Sequence, residues 1–249
     1  MCKGDGVGLF RICLTIVFFN DSIFLRKKEG ILLMINHPTL IVMLTYNDRT
    51  VKNAYEIFEQ CKDSAACVWG MKEEALPLEQ MKELYAYMKE CGKTTALEVV
   101  AYTEKEGMEG MRMAAECGCD ILMGTRFFDS INRFCLEHKI KYMPFVGEIT
   151  GRPSVLSGTA QDMIQEANTY LSKGAYGIDL LGYRYTKDAA ALNEAIVSQV
   201  KGPVCIAGSV NSYQRLDELK KVAPWAFTIG SAFFEDKFGG TFSEQIDKV

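Results

Sequence analysis

The sequence lacks an excess of positive charge. The 28 lysine and arginine residues stand against 32 aspartate and glutamate residues, which gives a formal net charge of −4 at neutral pH. Proteins that bind nucleic acid or anionic lipid normally present a basic surface. The balance therefore argues against a nucleic-acid or membrane partner, and we expect a small-molecule ligand instead.

A Cys-x-x-Cys pair is also missing, although the chain has nine cysteines. An odd number of cysteines in a chain of 249 residues does not fit a disulfide framework, which is typical of short secreted domains. We therefore predict reduced, mostly buried cysteines in a cytoplasmic protein.

No apolar run is long enough to span a bilayer. The best candidate, residues 9–19, contains Arg11, and no small-residue cleavage site follows it. Residues 1–33 are therefore interpreted as an N-terminal extension, and residues 34–249 as the folded domain. One hypothesis places the true start of the protein at Met34, because Lys28-Glu29-Gly30 can be encoded by a purine-rich ribosome-binding sequence just upstream.

Eight short apolar runs alternate with amphipathic stretches from Leu40 onward. The runs are 40–46, 65–71, 95–101, 120–126, 141–147, 176–182, 203–209 and 226–232. Each run is rich in Val, Ile, Leu or aromatic residues, as strands are, and the stretches between them have helical periodicity. Buried strands that alternate with helices indicate a parallel sheet. Eight such units in a chain of this length predict a single (β/α)8 TIM barrel of class α/β. An open doubly wound sheet is the alternative.

Two further patterns support the barrel and its active end. Strands 4, 6 and 8 share one ending, a glycine followed three residues later by an aromatic residue, at 124–127, 182–185 and 230–233. Such a repeat is typical of a barrel built from similar units. The longest connection, residues 147–162 after strand 5, is rich in Gly, Pro, Ser and Thr. We predict that it forms a mobile lid at the carboxyl ends of the strands.

Gly-Ser pairs follow the last two strands, at Gly208-Ser209 and Gly230-Ser231. Glycine lets backbone N–H groups approach a ligand closely, serine adds a hydroxyl donor, and the next helix adds partial positive charge. The loops after strands 7 and 8 of a barrel lie side by side. The two pairs therefore predict a phosphate-binding cup.

The segments "PVCIAGSV" (203–210) and "AFTIGSAFF" (226–234) resemble the closing strands of the ribulose-phosphate-binding barrel superfamily. This group includes phosphoribosyl-anthranilate isomerase, indole-glycerol-phosphate synthase, thiamine-phosphate synthase and N-acetylmannosamine-6-phosphate epimerase. The resemblance is tight over 203–233 and architectural over 40–233. It implies a phosphorylated sugar-like ligand held by Gly208, Ser209, Gly230 and Ser231. It does not define the reaction, because these families differ in chemistry.

Some members of the superfamily are a poor match. The chain lacks an Asp-x-Lys-x-x-Asp motif on strand 3, which disfavours the decarboxylases. Its only two histidines, His37 and His138, precede strands 1 and 5, at the wrong end for chemistry, which disfavours a histidine-ligated metal epimerase. We predict no metal site. Strand 6 also lacks the terminal lysine of many Schiff-base aldolases.

Four ionisable residues lie on or directly after predicted strands, where burial of a charge is costly without a partner. Lys72 ends strand 2, Glu98 and Asp179 lie within strands 3 and 6, and Glu148 directly follows strand 5. A carboxylate and a lysine across a barrel mouth can remove and return a proton next to a carbonyl group. These four are the candidate catalytic residues. The alternative for Glu98 and Asp179 is a structural pairing with Lys72 or an arginine.

The remaining candidates are substrate-binding residues at strand ends. Arg126 and Arg184 follow strands 4 and 6 and are predicted to clamp a second anionic group, such as a sugar-acid carboxylate. Gly182 and Asn47, at the ends of strands 6 and 1, complete the predicted binding set.

These residues favour a cofactor-free isomerase, epimerase or lyase that acts on a phosphorylated sugar or sugar acid by carboxylate and lysine acid–base chemistry. One alternative is a Schiff-base aldolase that uses Lys72 or Lys187. Another is a non-catalytic barrel that binds a phosphometabolite and regulates a partner. No Gly-x-Gly-x-x-Gly fingerprint supports a redox enzyme, although a flavin held in the same cup stays open. A homodimer is a further expectation.

Overall fold

The computed structural model of this protein describes residues 15–19, 22–26, 32–34 and 37–249. It divides the chain into two units, Met1–His37 and Pro38–Val249. In the first unit, three strands form an antiparallel sheet: Thr15–Phe19, Ser22–Arg26 and Leu32–Met34. The hypothesis of a start at Met34 rests on Lys28-Glu29-Gly30, which lie outside the described residues, and stays a prediction.

The second unit contains all eight predicted strands in one parallel sheet. They are β1 Thr39–Met43, β2 Val68–Lys72, β3 Thr94–Val99, β4 Ile121–Gly124, β5 Lys141–Met143, β6 Ile178–Leu180, β7 Val204–Ile206 and β8 Ala226–Ile229. Their order is β5-β4-β3-β2-β1-β8-β7-β6. Between β5 and β6, Asp179 N–H donates to the Pro144 carbonyl at 2.9 Å, and Phe145 forms a parallel bridge with Asp179. The sheet therefore closes almost completely, which confirms the TIM barrel and overturns the open-sheet alternative.

Helices follow the strands on the outside of the barrel. In the described part of the chain they are α1 Ala54–Cys61, α2 Leu78–Glu90, α3 Glu104–Glu116, α4 Asp129–His138, α5 Ala160–Ser172, α6 Ala189–Gln199, α7 Tyr213–Val222, α8 Ser231–Phe234 and α9 Phe242–Lys248, with a 3-10 turn at Gly182–Arg184. Several begin at side-chain caps: Thr103 forms a capping box with Glu106, and Asp188 and Ser212 accept hydrogen bonds from helix N–H groups. None of these helices has the length and hydropathy to cross a membrane.

The core has two layers, because side chains alternate across a strand. Ile41 and Met43 of β1 belong to a small apolar cluster with Ala96, Met123 and Cys205, which fills the barrel interior. Val42 and its counterparts on the other strands belong to a larger cluster packed against the helices. All the described cysteines are free thiols, and most are buried.

Two hairpins extend the barrel at the carboxyl ends of its strands. Thr45–Tyr46 pairs with Arg49–Thr50 after β1, and Glu148–Thr150 pairs with Val155–Ser157 after β5. The connection predicted as a lid is thus a regular hairpin, which we call the β5 hairpin. Its base contacts the 3-10 turn, because Leu156 forms a bridge with Tyr185.

Candidate active site

A polar cavity of about 190 Å³ lies at the carboxyl ends of the barrel strands. Its lining includes seven residues that the sequence analysis selected: Lys72, Glu98, Arg184, Gly208, Ser209, Gly230 and Ser231. It also includes two acidic residues that the sequence analysis missed, Asp48 and Glu235. The structure therefore brings the predicted phosphate loops and part of the predicted acid–base set into one site.

The loop after β7 is shaped by two residues with positive φ, Gly208 at 78° and Ser209 at 60°. The Arg184 side chain crosses the backbone here, since a Cβ added to Gly208 would lie 2.9 Å from Arg184 Nε. Arg215 donates to the Ser209 carbonyl and, at 2.9 Å, to Asn211 Oδ1. The turn is thus braced by one arginine and covered by another.

The loop after β8 packs closely against β1. A Cβ on Gly230 would lie 2.4 Å from Thr45 Oγ1, so only glycine fits between the strands. Asn47 donates its backbone N–H to Ser231 Oγ at 3.3 Å. Asn47, a predicted substrate-binding residue, does not line the cavity and contacts this loop through its backbone.

Lys72 and Glu98 face each other across neighbouring strands, because they are register partners in the β2–β3 pairing. Lys72 is only 4 % exposed, and its Nζ lies 3.2 Å from Glu98 Oε1 and 2.5 Å from Asp48 Oδ1. Burial by itself would lower the pKa of Lys72, but Glu98 and Asp48 hold that pKa above its usual value. Lys72 is therefore a buried ammonium ion with two carboxylate partners.

Asp48 reaches Lys72 because of local turn geometry. Asn47 and Asp48 have φ values of 48° and 65°, as in a two-residue type I′ hairpin. Thr50 then exchanges two 2.9 Å hydrogen bonds with the backbone of Lys72, which fixes the hairpin to β2. Burial would raise the pKa of Asp48, but Lys72, Arg184 and Arg152 lower it below its usual value. The sequence could have indicated this turn, because an Asn-Asp pair, a common turn dipeptide, lies between two short segments that each contain a threonine.

Asp179 lies one layer below the cavity. Leu181, two residues further along, lines the cavity, whereas Asp179 does not and is fully buried. Neither carboxyl oxygen has a hydrogen-bond partner among the described residues. Burial, together with the negative charge of Glu98, raises the pKa of Asp179 well above its usual range. The barrel interior therefore favours the protonated form of Asp179.

The structure does not bring Glu148 and Arg126 into the cavity, and both are exposed. The sequence analysis placed Glu148 at the rim on the assumption that strand 5 continues to residue 147. In fact β5 ends at Met143, and Gly147, with φ 80°, donates its N–H to Glu166 of α5. The chain turns outward there, and Glu148 instead accepts a hydrogen bond from Ser157 at 3.2 Å.

Gly182 and Lys187 also lie outside the cavity lining. A Cβ on Gly182 would lie 1.9 Å from Asn193 Oδ1, so this glycine is required by the packing of α6 against the 3-10 turn. Lys187 is exposed beyond that turn.

The β5 hairpin contributes Arg152, which the sequence analysis did not select. Its guanidinium forms ion pairs with Glu73, at 2.7 Å, and with Glu74, both after β2. Arg152 Nε also lies 3.6 Å from Asp48 Oδ2. Tyr102 donates to the Gly151 carbonyl at 2.9 Å and holds the same tip against the loop after β3. The hairpin thus spans part of the barrel mouth.

Comparison with known proteins adds the fold class. No protein-family model and no curated protein matches this chain. Solved structures do match. One is a 4-hydroxy-2-oxoglutarate/2-dehydro-3-deoxyphosphogluconate aldolase, with TM-score 0.60, 12% identity, and coverage of 84% of this chain and 91% of that one. A second is the N-acetylmannosamine-6-phosphate 2-epimerase from Clostridium perfringens, with TM-score 0.57, 14% identity, and coverage of 84% and 90%.

A third match is phosphoribosyl anthranilate isomerase in complex with reduced 1-(o-carboxyphenylamino)-1-deoxyribulose 5-phosphate. Its TM-score is 0.59 at 12% identity, with 85% of this chain and 97% of that chain covered. At such identities the likeness shows the fold alone. The protein shares the (β/α)8 barrel fold with these three structures. The epimerase and the isomerase are among the proteins that residues 203–233 resemble in sequence.

Proposed function

We propose that this protein is an isomerase, epimerase or lyase that acts on a phosphorylated sugar or sugar acid by acid–base catalysis. The observation that carries the proposal is the position of the Lys72–Glu98 ion pair. It lies in the same cavity as the two Gly-Ser loops and Arg184. A phosphate site and a proton-transfer pair within one small cavity are what such a reaction requires.

The phosphate group would bind at the loops after β7 and β8. Gly208 and Gly230 leave their backbone accessible, Ser209 and Ser231 add donors, and the Arg184 guanidinium supplies a positive charge beside them. The cavity volume of about 190 Å³ is smaller than the roughly 300–1,000 Å³ of pockets for drug-sized ligands. A compact monophosphate suits it better than a large cofactor.

Glu98 and Lys72 would carry the chemistry. Glu98, as a carboxylate, would remove a proton next to the substrate carbonyl, and the Lys72 ammonium would stabilise the oxyanion that forms. Burial and the charge of Glu98 raise the pKa of Asp179, which favours a protonated Asp179 beside a Glu98 carboxylate.

Two observations favour this chemistry over a Schiff base. A nucleophilic lysine needs a neutral amine, and the pKa of Lys72 is held above its usual value by Glu98 and Asp48, against the effect of burial. Lys187, the other candidate lysine, is exposed and outside the cavity lining. Borohydride treatment with a panel of phosphorylated keto compounds should therefore leave the protein mass unchanged.

The test is a proton-exchange assay that does not require the substrate to be known. A panel of phosphorylated aldoses, ketoses and sugar acids is incubated with the protein in D2O, and NMR follows deuterium incorporation and bond cleavage. We expect at least one compound to react and Glu98→Gln to lower its rate by about 10²–10⁴-fold, because a general base is lost. Glu109→Gln, the same change at an exposed position on α3, should react like the wild type.

A binding measurement, compared with the exchange assay, distinguishes an enzyme from a non-catalytic regulatory barrel. A panel member that stabilises the protein against heat but neither exchanges nor cleaves would contradict the enzyme and favour the regulatory barrel. A ligand at 100 times its dissociation constant stabilises by about 2.7 kcal/mol, which is measurable for a domain of this size. If none of the phosphorylated compounds raises the melting temperature, the proposal of a phosphate site is contradicted.

A further inference from the structure

Beyond the phosphate loops, the cavity is poor in available positive charge. Its cations are Lys72 and Arg184, and its acidic residues are Asp48, Glu98 and Glu235. We infer that the reacting end of the substrate is uncharged and hydroxyl-rich, so that the site selects phosphorylated neutral sugars against phosphorylated sugar acids. This inference rests on the proposed function and narrows its substrate class.

The first support is that both cations of the cavity already have partners. Lys72 Nζ donates to Asp48 Oδ1 at 2.5 Å and forms an ion pair with Glu98 at 3.2 Å. Arg184 lies across Gly208 at the phosphate loop, and it also forms an ion pair with Asp48, at 3.6 Å. Neither side chain is a free partner for a second anionic group at the reacting end.

The cation at the rim is neutralised in the same way. Arg152 faces Glu73, Glu74 and Asp48 at once. Arg126, which the sequence analysis assigned to a carboxylate clamp, is exposed and does not line the cavity. The predicted clamp for a sugar-acid carboxylate is therefore not assembled.

The second support is a buried acceptor oxygen. Asp48 Oδ2 is buried and has no hydrogen-bond partner among the described residues, and Arg152 Nε lies 3.6 Å from it. The Asp48 side chain is 10 % exposed and lines the cavity. Sugar hydroxyl groups donate hydrogen bonds and would satisfy such an oxygen, whereas a carboxylate has no proton to donate.

The third support is that the barrel interior already disfavours one more anion. Asp179 is fully buried, and burial together with the charge of Glu98 raises its pKa. A substrate carboxylate brought next to Glu98 and Asp48 would meet the same repulsion from two charges instead of one. Binding of a sugar acid would then require proton uptake or displacement of Asp48 from Lys72.

The experiment compares matched ligands by calorimetric titration at pH 7.5. Glucose 6-phosphate and ribose 5-phosphate are each paired with the aldonic acid of the same skeleton, 6-phosphogluconate and 5-phosphoribonate, and inorganic phosphate is the reference. We expect each acid to bind at least about tenfold more weakly than its neutral twin, because one uncompensated like charge close by has at least that effect. We also expect the neutral sugars to bind more tightly than inorganic phosphate.

Variants test whether Asp48 causes the discrimination. Asp48→Asn should lower the dissociation constant of each acid more than that of its neutral twin, so that the difference in affinity between the two becomes smaller. Asp217→Asn, the same change at an exposed position on α7, should leave this difference unchanged. If Asp48→Asn does not fold, the wild-type comparison of each acid with its neutral twin still tests the inference.

The outcomes separate the two proposals. If no phosphorylated ligand binds, the proposed function fails. If phosphorylated ligands bind but the acids bind as tightly as their neutral twins, only this inference fails. An unchanged difference in affinity in Asp48→Asn also contradicts it, because the repulsion would then not come from the cavity carboxylates.

Discussion

The structure predicts a large loss of stability when Lys72 is replaced by an uncharged residue. The side chains of Lys72, Asp48 and Glu98 are 5%, 10% and 9% exposed. Lys72→Met would leave the buried Glu98 without its cation and leave Asp48 only the longer contacts to Arg152 and Arg184, at 3.6 Å each. Removal of one partner from a buried ion pair costs about 3–5 kcal/mol, largely because the remaining charge is uncompensated. For a domain of this size, that corresponds to a fall of about 10 °C in melting temperature.

The assay is urea denaturation at pH 7.5, with Lys82→Met as a matched control. Lys82 also contacts two carboxylates, Glu79 at 3.0 Å and Glu116 at 3.2 Å, but it is on the surface. That variant should lose no more than about 1 kcal/mol. Adding Glu98→Gln to Lys72→Met should recover part of the loss, because the charge of Glu98, which has lost its cation, disappears. A loss below about 1 kcal/mol for Lys72→Met, or a double variant that is less stable than the single one, would refute the buried-triad interpretation.

Two further predictions concern Asp179 and Gly182. The pKa of Asp179 is raised in the folded state by burial and by Glu98, so the folded protein binds more protons than the unfolded chain, and the wild type loses stability as the pH rises above the ordinary aspartate range. Asp179→Asn removes this dependence. The free energy of unfolding of the variant, relative to that of the wild type, should therefore increase as the pH rises from 5 to 8. A difference between the two proteins that does not change with pH would contradict the raised pKa. Gly182→Ala should destabilise by about 1–3 kcal/mol because its methyl group meets Asn193 Oδ1. Ligand binding should be retained, and Asn193→Ala should relieve the loss; loss of binding without loss of stability would instead place Gly182 at the ligand.

Much of the barrel was predictable because its signals are local. The apolar runs from Leu40 onward follow the period of strands, and each reappears in the sheet. The Gly-Ser pairs after β7 and β8 line the same cavity, since parallel strands place their carboxyl ends together. Lys72 and Glu98 were identified for the same reason: each is an ionisable residue on a strand that is otherwise apolar.

Tertiary structure decided which of the other candidates reach the cavity. Glu148 directly follows Gly147, yet the positive φ of that glycine turns the chain toward α5 and leaves Glu148 exposed. Gly182 occupies the same place in the repeated strand ending as Gly230, which lines the cavity. Its lack of a side chain instead leaves room for the side chain of Asn193. Neither distinction is visible in strand periodicity, because it depends on one backbone angle or on a partner from another element.

The sequence alone determined the parallel barrel, the end of the barrel that carries the cavity, and two residues of the buried ion-pair cluster there, Lys72 and Glu98, because strand period and strand-end composition are properties of short segments. Only the folded chain decided the charge balance of the site. Asp48 meets Lys72 through a hairpin turn, and Arg152 meets Glu73 from a hairpin more than seventy residues away. Such ion pairs join segments that are distant in sequence. Their energies depend on how deeply the charged groups are buried and on the distance between them, and both are set only when the barrel closes.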